Sequence, residues 1–124
     1  MEKNILIADD DKDLIGIIKK FLTGKGHRVD FAYDGDRALD MIKSNHYDII
    51  FVDFNMPGLT GLELAKYVKT NKLDTKTVFL TGYPAISAPI AKYSGADEYL
   101  EKSASMDSLL DSIVEIIDRE SGKA

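Results

Sequence analysis

The segment "NILIADDDKD" (residues 4–13) ends an apolar run in three consecutive carboxylates, Asp9, Asp10 and Asp11. Two carboxylates about 4 Å apart repel by roughly 4 kcal/mol at an effective dielectric near 20, so the cluster asks for a cation. Residues far along the chain carry matching chemistry. Asp53 closes the apolar run "IIFVD", Thr81 closes "TVFLT", and Lys102 follows "EYLE". Together these are the ingredients of a magnesium site beside an aspartate nucleophile. Magnesium takes hard oxygen ligands and keeps several waters. Asp10 and Asp53 are the expected direct ligands, the backbone carbonyl of Asn55 a further one, and Asp9 is expected to act through water. In-line phosphoryl transfer needs mainly positioning and charge stabilisation, and a carboxylate can accept the group covalently. The Lys102 ammonium is a point charge on a flexible stem that could pair with a phosphate, and the Thr81 hydroxyl could donate to another phosphate oxygen.

For these residues to meet, the chain must bring them to one edge. Strand-like runs at residues 4–8, 28–32, 49–53, 77–81 and 98–100 alternate with helical patterns. Leu14, Ile15, Ile18, Phe21 and Leu22 give the first helix its apolar face, and Ala38, Leu39, Met41 and Ile42 the second. The third opens with "TGLE", where Thr60 and Glu63 form a capping box. A fourth, short helix is expected to start near Ser87 or Ala88, because Pro89 is tolerated only in a first turn, and to close at Gly95. The fifth starts after Ser105. Alternation of this kind predicts a parallel sheet covered on both faces, with sites outside the carboxyl ends of the strands. That rule places Asp9, Asp10, Asp53, Thr81 and Lys102 at one edge.

Bulk properties narrow the classes. The 124 residues, 44% hydrophobic and 30% charged, suit one soluble domain, expected over residues 1–119 with 120–124 as a tail or linker start. A net charge of −5 offers no basic surplus for direct nucleic-acid binding. The absence of cysteine removes disulfides and thiolate metal sites and suits a reducing cytoplasm. No apolar stretch approaches the ~18 residues of a membrane span. His27 and His46 stand apart from any partner ligand and receive no role.

The motifs resemble the receiver domains of bacterial two-component response regulators over roughly residues 3 to 118. "ILIADDD" is similar to the family's acidic-pair strand, "IIFVDFNMPGLTGLEL" to its phosphoacceptor segment, "VFLTG" to its switch threonine, and "GADEYLEK" to its switch aromatic and lysine. The resemblance implies a flavodoxin-like, doubly wound five-stranded sheet of order 2-1-3-4-5 with five helices in three α/β/α layers. It implies Asp53 as phosphoacceptor, Thr81 and Tyr99 as switch residues, Lys102 as phosphate partner, and Mg2+ as cofactor, with Mn2+ able to substitute. It further implies a histidine kinase or phosphotransfer protein as donor, and an output partner reached through the face of helix four, strand five and helix five. The chain would catalyse its own phosphoryl transfer and slow dephosphorylation without being a turnover enzyme. It reads either as a stand-alone cytoplasmic regulator or as a receiver cut from a larger protein.

One position departs from the family pattern. Ser103 follows Lys102 where proline, joined by a cis bond, is usual. A non-proline cis bond costs about 3 kcal/mol, so a trans Lys102–Ser103 bond is expected. Ser103 also supports an alternative, an interaction module that keeps the fold without phosphorylation. An aspartate phosphohydrolase would commonly carry a second aspartate two positions after the nucleophile, where this chain has Asn55.

Overall fold

Strands buried on both faces must be apolar throughout, and β1 (Asn4–Ala8) and β3 (Ile49–Asp53) meet that demand: Ile5 to Ala8 and Ile49 to Val52 are buried. In a computed structural model, describing residues 2–54, 56–82, 96–102 and 105–121, the order continues from β1 through α1 (Lys12–Gly24), β2 (Arg28–Ala32) and α2 (Gly35–Ser44) to β3. Then come α3 (Gly61–Thr70), β4 (Lys76–Thr81), β5 (Glu98–Glu101) and α4 (Met106–Ser121), the last being the fifth helix expected from the sequence. The short helix expected around Pro89 and Gly95, the Asn55 carbonyl and the Lys102–Ser103 bond all lie outside the described residues. β4 begins one residue before the expected 77, because the Lys76 N–H donates to the Asp48 carbonyl at 3.0 Å. β5 runs on through Glu101, which pairs with Thr81.

The sheet is parallel, in the order β2-β1-β3-β4-β5. Alternation of side chains along each strand builds two cores. Leu6, Ala8, Ile50, Val52 and Phe79 pack with Ala38 and Ile42 of α2 and Leu64, Ala65 and Val68 of α3. Ile5, Ile7, Ile49, Phe51, Val78 and Leu80 pack with α1 and with Leu109, Ile113, Ile116 and Ile117 of α4. Burying one such side chain stabilises by roughly 1.5–3 kcal/mol, which is why helix faces and strand parity must agree.

The helix starts are fixed locally. The Asp11 and Asp34 carboxylates accept from the Leu14 and Arg37 N–H groups at 3.1 and 2.8 Å. Thr60 and Glu63 form the expected capping box, and the Ser105 hydroxyl accepts from Ser108 N–H at 3.2 Å. No described helix is long and apolar enough to cross a membrane.

Candidate functional site

Parallel strands put their carboxyl ends on one side, and the residues singled out above follow those ends. Asp9 prolongs β1 by one residue: its N–H donates to the Ala32 carbonyl at 3.0 Å. Its side chain is fully buried, and Oδ1 accepts from the Asp11 N–H at 2.9 Å. The three adjacent acids therefore divide the work. Asp9 is the buried member, Asp11 caps α1, and Asp10 lies exposed between them. Asp53 closes β3, a strand buried at every position, and is itself buried. Thr81 is buried at the end of β4, and its carbonyl accepts from the Lys102 N–H at 2.7 Å.

That backbone bond carries Lys102 one step beyond β5 and aims its side chain at the acids. The ammonium lies 2.6 Å from Asp9 Oδ2 and donates to Asp53 Oδ2 at 3.1 Å. Burial alone would push the Lys102 pKa down. The hydrogen bond and charge of Asp9, with Asp53 behind them, outweigh it and hold the group above its ordinary 10.5. The cation demanded by the acidic cluster is thus in the chain, some ninety positions away in sequence.

Carboxylate oxygens of Asp9, Asp10 and Asp53 all lie within 4.8 Å of one another. Among the described residues, these three carboxylates converge on a corner where the Lys102 ammonium touches Asp9 and Asp53 and Asp10 stays open to solvent. This hard, oxygen-only donor set fits a divalent cation such as Mg2+.

The loop after Asp53 is held tightly. A Cβ on Gly61 would overlap the Asp53 carbonyl oxygen, so only glycine lets α3 close this near to the end of β3. Gly61 N–H also donates to the Phe54 carbonyl at 3.3 Å, and Gly35 N–H to Pro57 at 3.2 Å. The TGLE segment was legible in sequence as a cap; its second role, spacing Asp53 from α3, was not.

The structure gathers Asp9, Asp10, Asp53 and Lys102 directly and sets Thr81 at the same edge. Tyr99 stands apart from the acids. It pairs with Phe79 across β4 and β5, half-buried against the core on the α2 and α3 side. His27 accepts from Lys3 N–H at 3.1 Å, and His46 pairs with Asp74 at 2.7 Å, both away from the acidic cluster.

Residues 5–114 match the family model for the response regulator receiver domain. Response regulator MprA of Mycobacterium bovis (strain BCG / Pasteur 1173P2) is 35% identical over 111 residues, covering 89% of this chain and 48% of that protein. The chain thus spans about half the length of the curated relatives it matches. Among solved structures, response regulator TrrA from Thermotoga maritima, in complex with Mg(2+)-BeF, is 33% identical with a TM-score of 0.78, covering 92% of this chain and 98% of that one. A CheY-like receiver domain protein from Methanospirillum hungatei JF-1 is 26% identical with a TM-score of 0.85, covering all of both chains.

Proposed function

Because the chain belongs to the response regulator receiver domain family of two-component signalling, we propose that Asp53 is its phosphoacceptor, loaded by a sensor histidine kinase or a phosphotransfer protein. The observation that carries this reading is the setting of Asp53: a buried strand-end carboxylate, 3.1 Å from the Lys102 ammonium and grouped with Asp9 and Asp10. That the similar response regulator TrrA was solved in complex with Mg(2+)-BeF supports a metal for this chain as well.

Asp10 and Asp53 would hold Mg2+ directly, with the Asn55 carbonyl as a further ligand and Asp9 acting through water; Mn2+ would fit the same donors. Bound there, the metal supplies the charge neutralisation that lets an anionic donor approach an anionic acceptor. One Asp53 oxygen forms the bond to phosphorus as the bond to the donor breaks, and that electron pair leaves with the donor. Lys102, already against Asp53, is placed to pair with the new phosphate charge. Thr81, at the end of β4, would donate its hydroxyl to another phosphate oxygen. The chain acts as a switch with its own transfer and slow dephosphorylation chemistry, working in the cytoplasm, and not as a turnover enzyme.

The readout would run from Thr81 to Tyr99. As Thr81 turns to the phosphate, the Tyr99 ring moves further into the space beside β4, reshaping the face made by the short helix expected between β4 and β5, by β5 and by α4, where an output partner docks. Intact mass after incubation with acetyl phosphate and Mg2+ tests the acceptor: one adduct is expected on wild type and none on Asp53→Asn. Undiminished labelling of the variant refutes the assignment, and an unlabelled wild type favours a phosphorylation-independent interaction module. NMR with beryllofluoride tests the switch. Unmoved Tyr99 signals, alongside shifted Asp53 and Thr81 signals, would separate a working site from a failed relay.

A further inference from the structure

The loop that follows Asp53 leaves β3 and comes back to it. Phe54 N–H donates to the Leu80 carbonyl at 3.0 Å, and the Phe54 carbonyl accepts from Gly61 N–H at 3.3 Å. Gly61 in turn lies against the Asp53 carbonyl, so both ends of the loop touch the peptide of Asp53. Met56 is buried in the core on the α2 and α3 side. Residues 57–59 form the outer part of the loop, and there its partner is the first turn of α2.

Gly35, the buried first residue of α2, donates its N–H to the Pro57 carbonyl at 3.2 Å. A Cβ at this position would overlap the Leu59 carbonyl oxygen and crowd its carbon at 2.5 Å. These are backbone atoms, which cannot swing aside as the end of a long side chain can. Between them Gly58 turns with φ 77° and faces the Asp36 carboxylate. Backbone thus packs directly on backbone, and the Leu59 carbonyl must retreat by about 1 Å or more before a methyl group fits at position 35. The start of α2 is also tied to the other side of the acidic corner. Ala32, at the end of β2, accepts from Asp9 N–H at 3.0 Å, and the Asp34 carboxylate fixes the first turn of the helix through Arg37 N–H. A short chain of contacts therefore runs from Asp9 through Ala32 and Gly35 to Pro57 and Leu59, and on through Gly61 to Asp53.

We propose that Gly35 is a positioning residue for the acidic corner: lacking a Cβ, it lets α2 hold the loop after Asp53 where the Asp53 carboxylate stays in register with Asp9 and Asp10. The proposal rests on the reading of Asp53 as phosphoacceptor. Gly35 acts through the loop, not by touching the metal or the phosphoryl group. Misplacement by about 1 Å can cost on the order of 10²-fold in rate, so a backbone contact away from the reacting atoms is enough to govern the transfer.

Gly35→Ala in the full chain tests this beside two controls. Ile42→Ala opens a cavity under the same helix without touching the loop contact, and Gly16→Ala adds a Cβ that meets nothing within 4 Å. All are assayed where circular dichroism shows a folded chain. Gly35→Ala should bind Mg2+ roughly tenfold more weakly by calorimetric titration, and at saturating Mg2+ should take up the phosphoryl group from acetyl phosphate at least about tenfold more slowly. Both controls should keep the affinity and rate of wild type, although Ile42→Ala is less stable. If Gly35→Ala does not fold, wild type decides by reciprocity. Mg2+ should then slow exchange of the Gly35 amide beyond any slowing of the Ile18 amide in α1, which reads global stabilisation. The proposal is overturned if Gly35→Ala keeps the wild-type affinity or rate, if Ile42→Ala loses as much, or if the Gly35 amide gains no more protection than that of Ile18. A labelled wild type beside an equally labelled Gly35→Ala overturns this inference alone; a wild type that takes up neither Mg2+ nor the phosphoryl group overturns the reading of Asp53 and this inference with it.

Discussion

Replacing Lys102 with methionine keeps an unbranched stem and removes the charge that holds the acidic corner together. The ammonium sits 2.6 Å from an Asp9 oxygen and 3.1 Å from an Asp53 oxygen, and the Asp9 side chain is 0% exposed. At an effective dielectric of about 20, unit charges at those separations attract by roughly 5 to 6 kcal/mol each. Desolvation of the three ions offsets most of that. Removing one partner of a buried pair nevertheless costs about 3–5 kcal/mol, because the other charge is left behind. Exposure at Asp10 gives the corner some access to water, and a crowded carboxylate can take up a proton, so a net loss of about 2–3 kcal/mol is expected for Lys102→Met without metal. Urea unfolding in EDTA should show a lower midpoint at unchanged slope. Saturating Mg2+ should stabilise the variant more than wild type, since wild type must share its carboxylates between metal and ammonium. The sign with pH follows from the raised Lys102 pKa. Its contribution is fully present below the unfolded value near 10.5 and is lost as pH rises through the higher folded value. The gap between the proteins should therefore close on the alkaline side, as pH rises through the folded value. A variant within about 0.5 kcal/mol of wild type in EDTA, or one that gains less from Mg2+, would refute the reasoning.

Asp10→Asn should weaken Mg2+ binding while raising metal-free stability by on the order of 1 kcal/mol, because Asp10 adds like charge to a pair that Lys102 already serves; calorimetric titration and urea unfolding read the two effects, and a destabilised metal-free variant would contradict the crowding. Gly61→Ala should cost about 1–3 kcal/mol by overpacking and also slow acetyl-phosphate labelling of Asp53; normal labelling would show that the α3 contact does not position the acceptor. Burial, and then the hydrogen bond to Asp30, raise the Tyr47 pKa above its ordinary 10.0. An alkaline absorbance titration should show a late-ionising phenol missing from Tyr47→Phe. Above pH 10.0, wild type should lose stability more steeply than the variant, because only the unfolded state of wild type readily releases that proton.

The bounds of β1 and β3 could be read because each is a short apolar run cut off by polar residues, the mark of a strand covered on both faces; β4 and β5 each extend one residue further than expected. The capping box at Thr60 and Glu63 is local, so sequence spacing alone identified it. Locality also explains what was hidden. Asp9, Asp10 and Asp11 look alike in sequence, and only tertiary burial tells the ion-paired acid from the open one and the cap. The need for a cation was legible in the acid cluster, and Lys102 was legible as a residue of the same sheet edge. Its contact with Asp9 was not, because that contact depends on the last turn of backbone after β5. Tyr47 and Asp30 meet across the intervening β1, a proximity that no spacing rule supplies.

β5 has no fully buried residue, unlike every other strand of the sheet. What apolar contact does not provide, charge does. At one end Glu98 meets Lys76 at 3.2 Å and Arg119 at 2.7 Å; at the other, Lys102 grips Asp9 and Asp53. The strand works as a bolt with an electrostatic latch at each end, and one latch is the corner proposed to take up the phosphoryl group. A cation bound in that corner would compete for the carboxylates that hold the bolt, so occupancy of the site would tune how firmly the sheet's outer margin is fastened. Information would then reach the edge as a change in fastening strength, before any side chain has to change its rotamer.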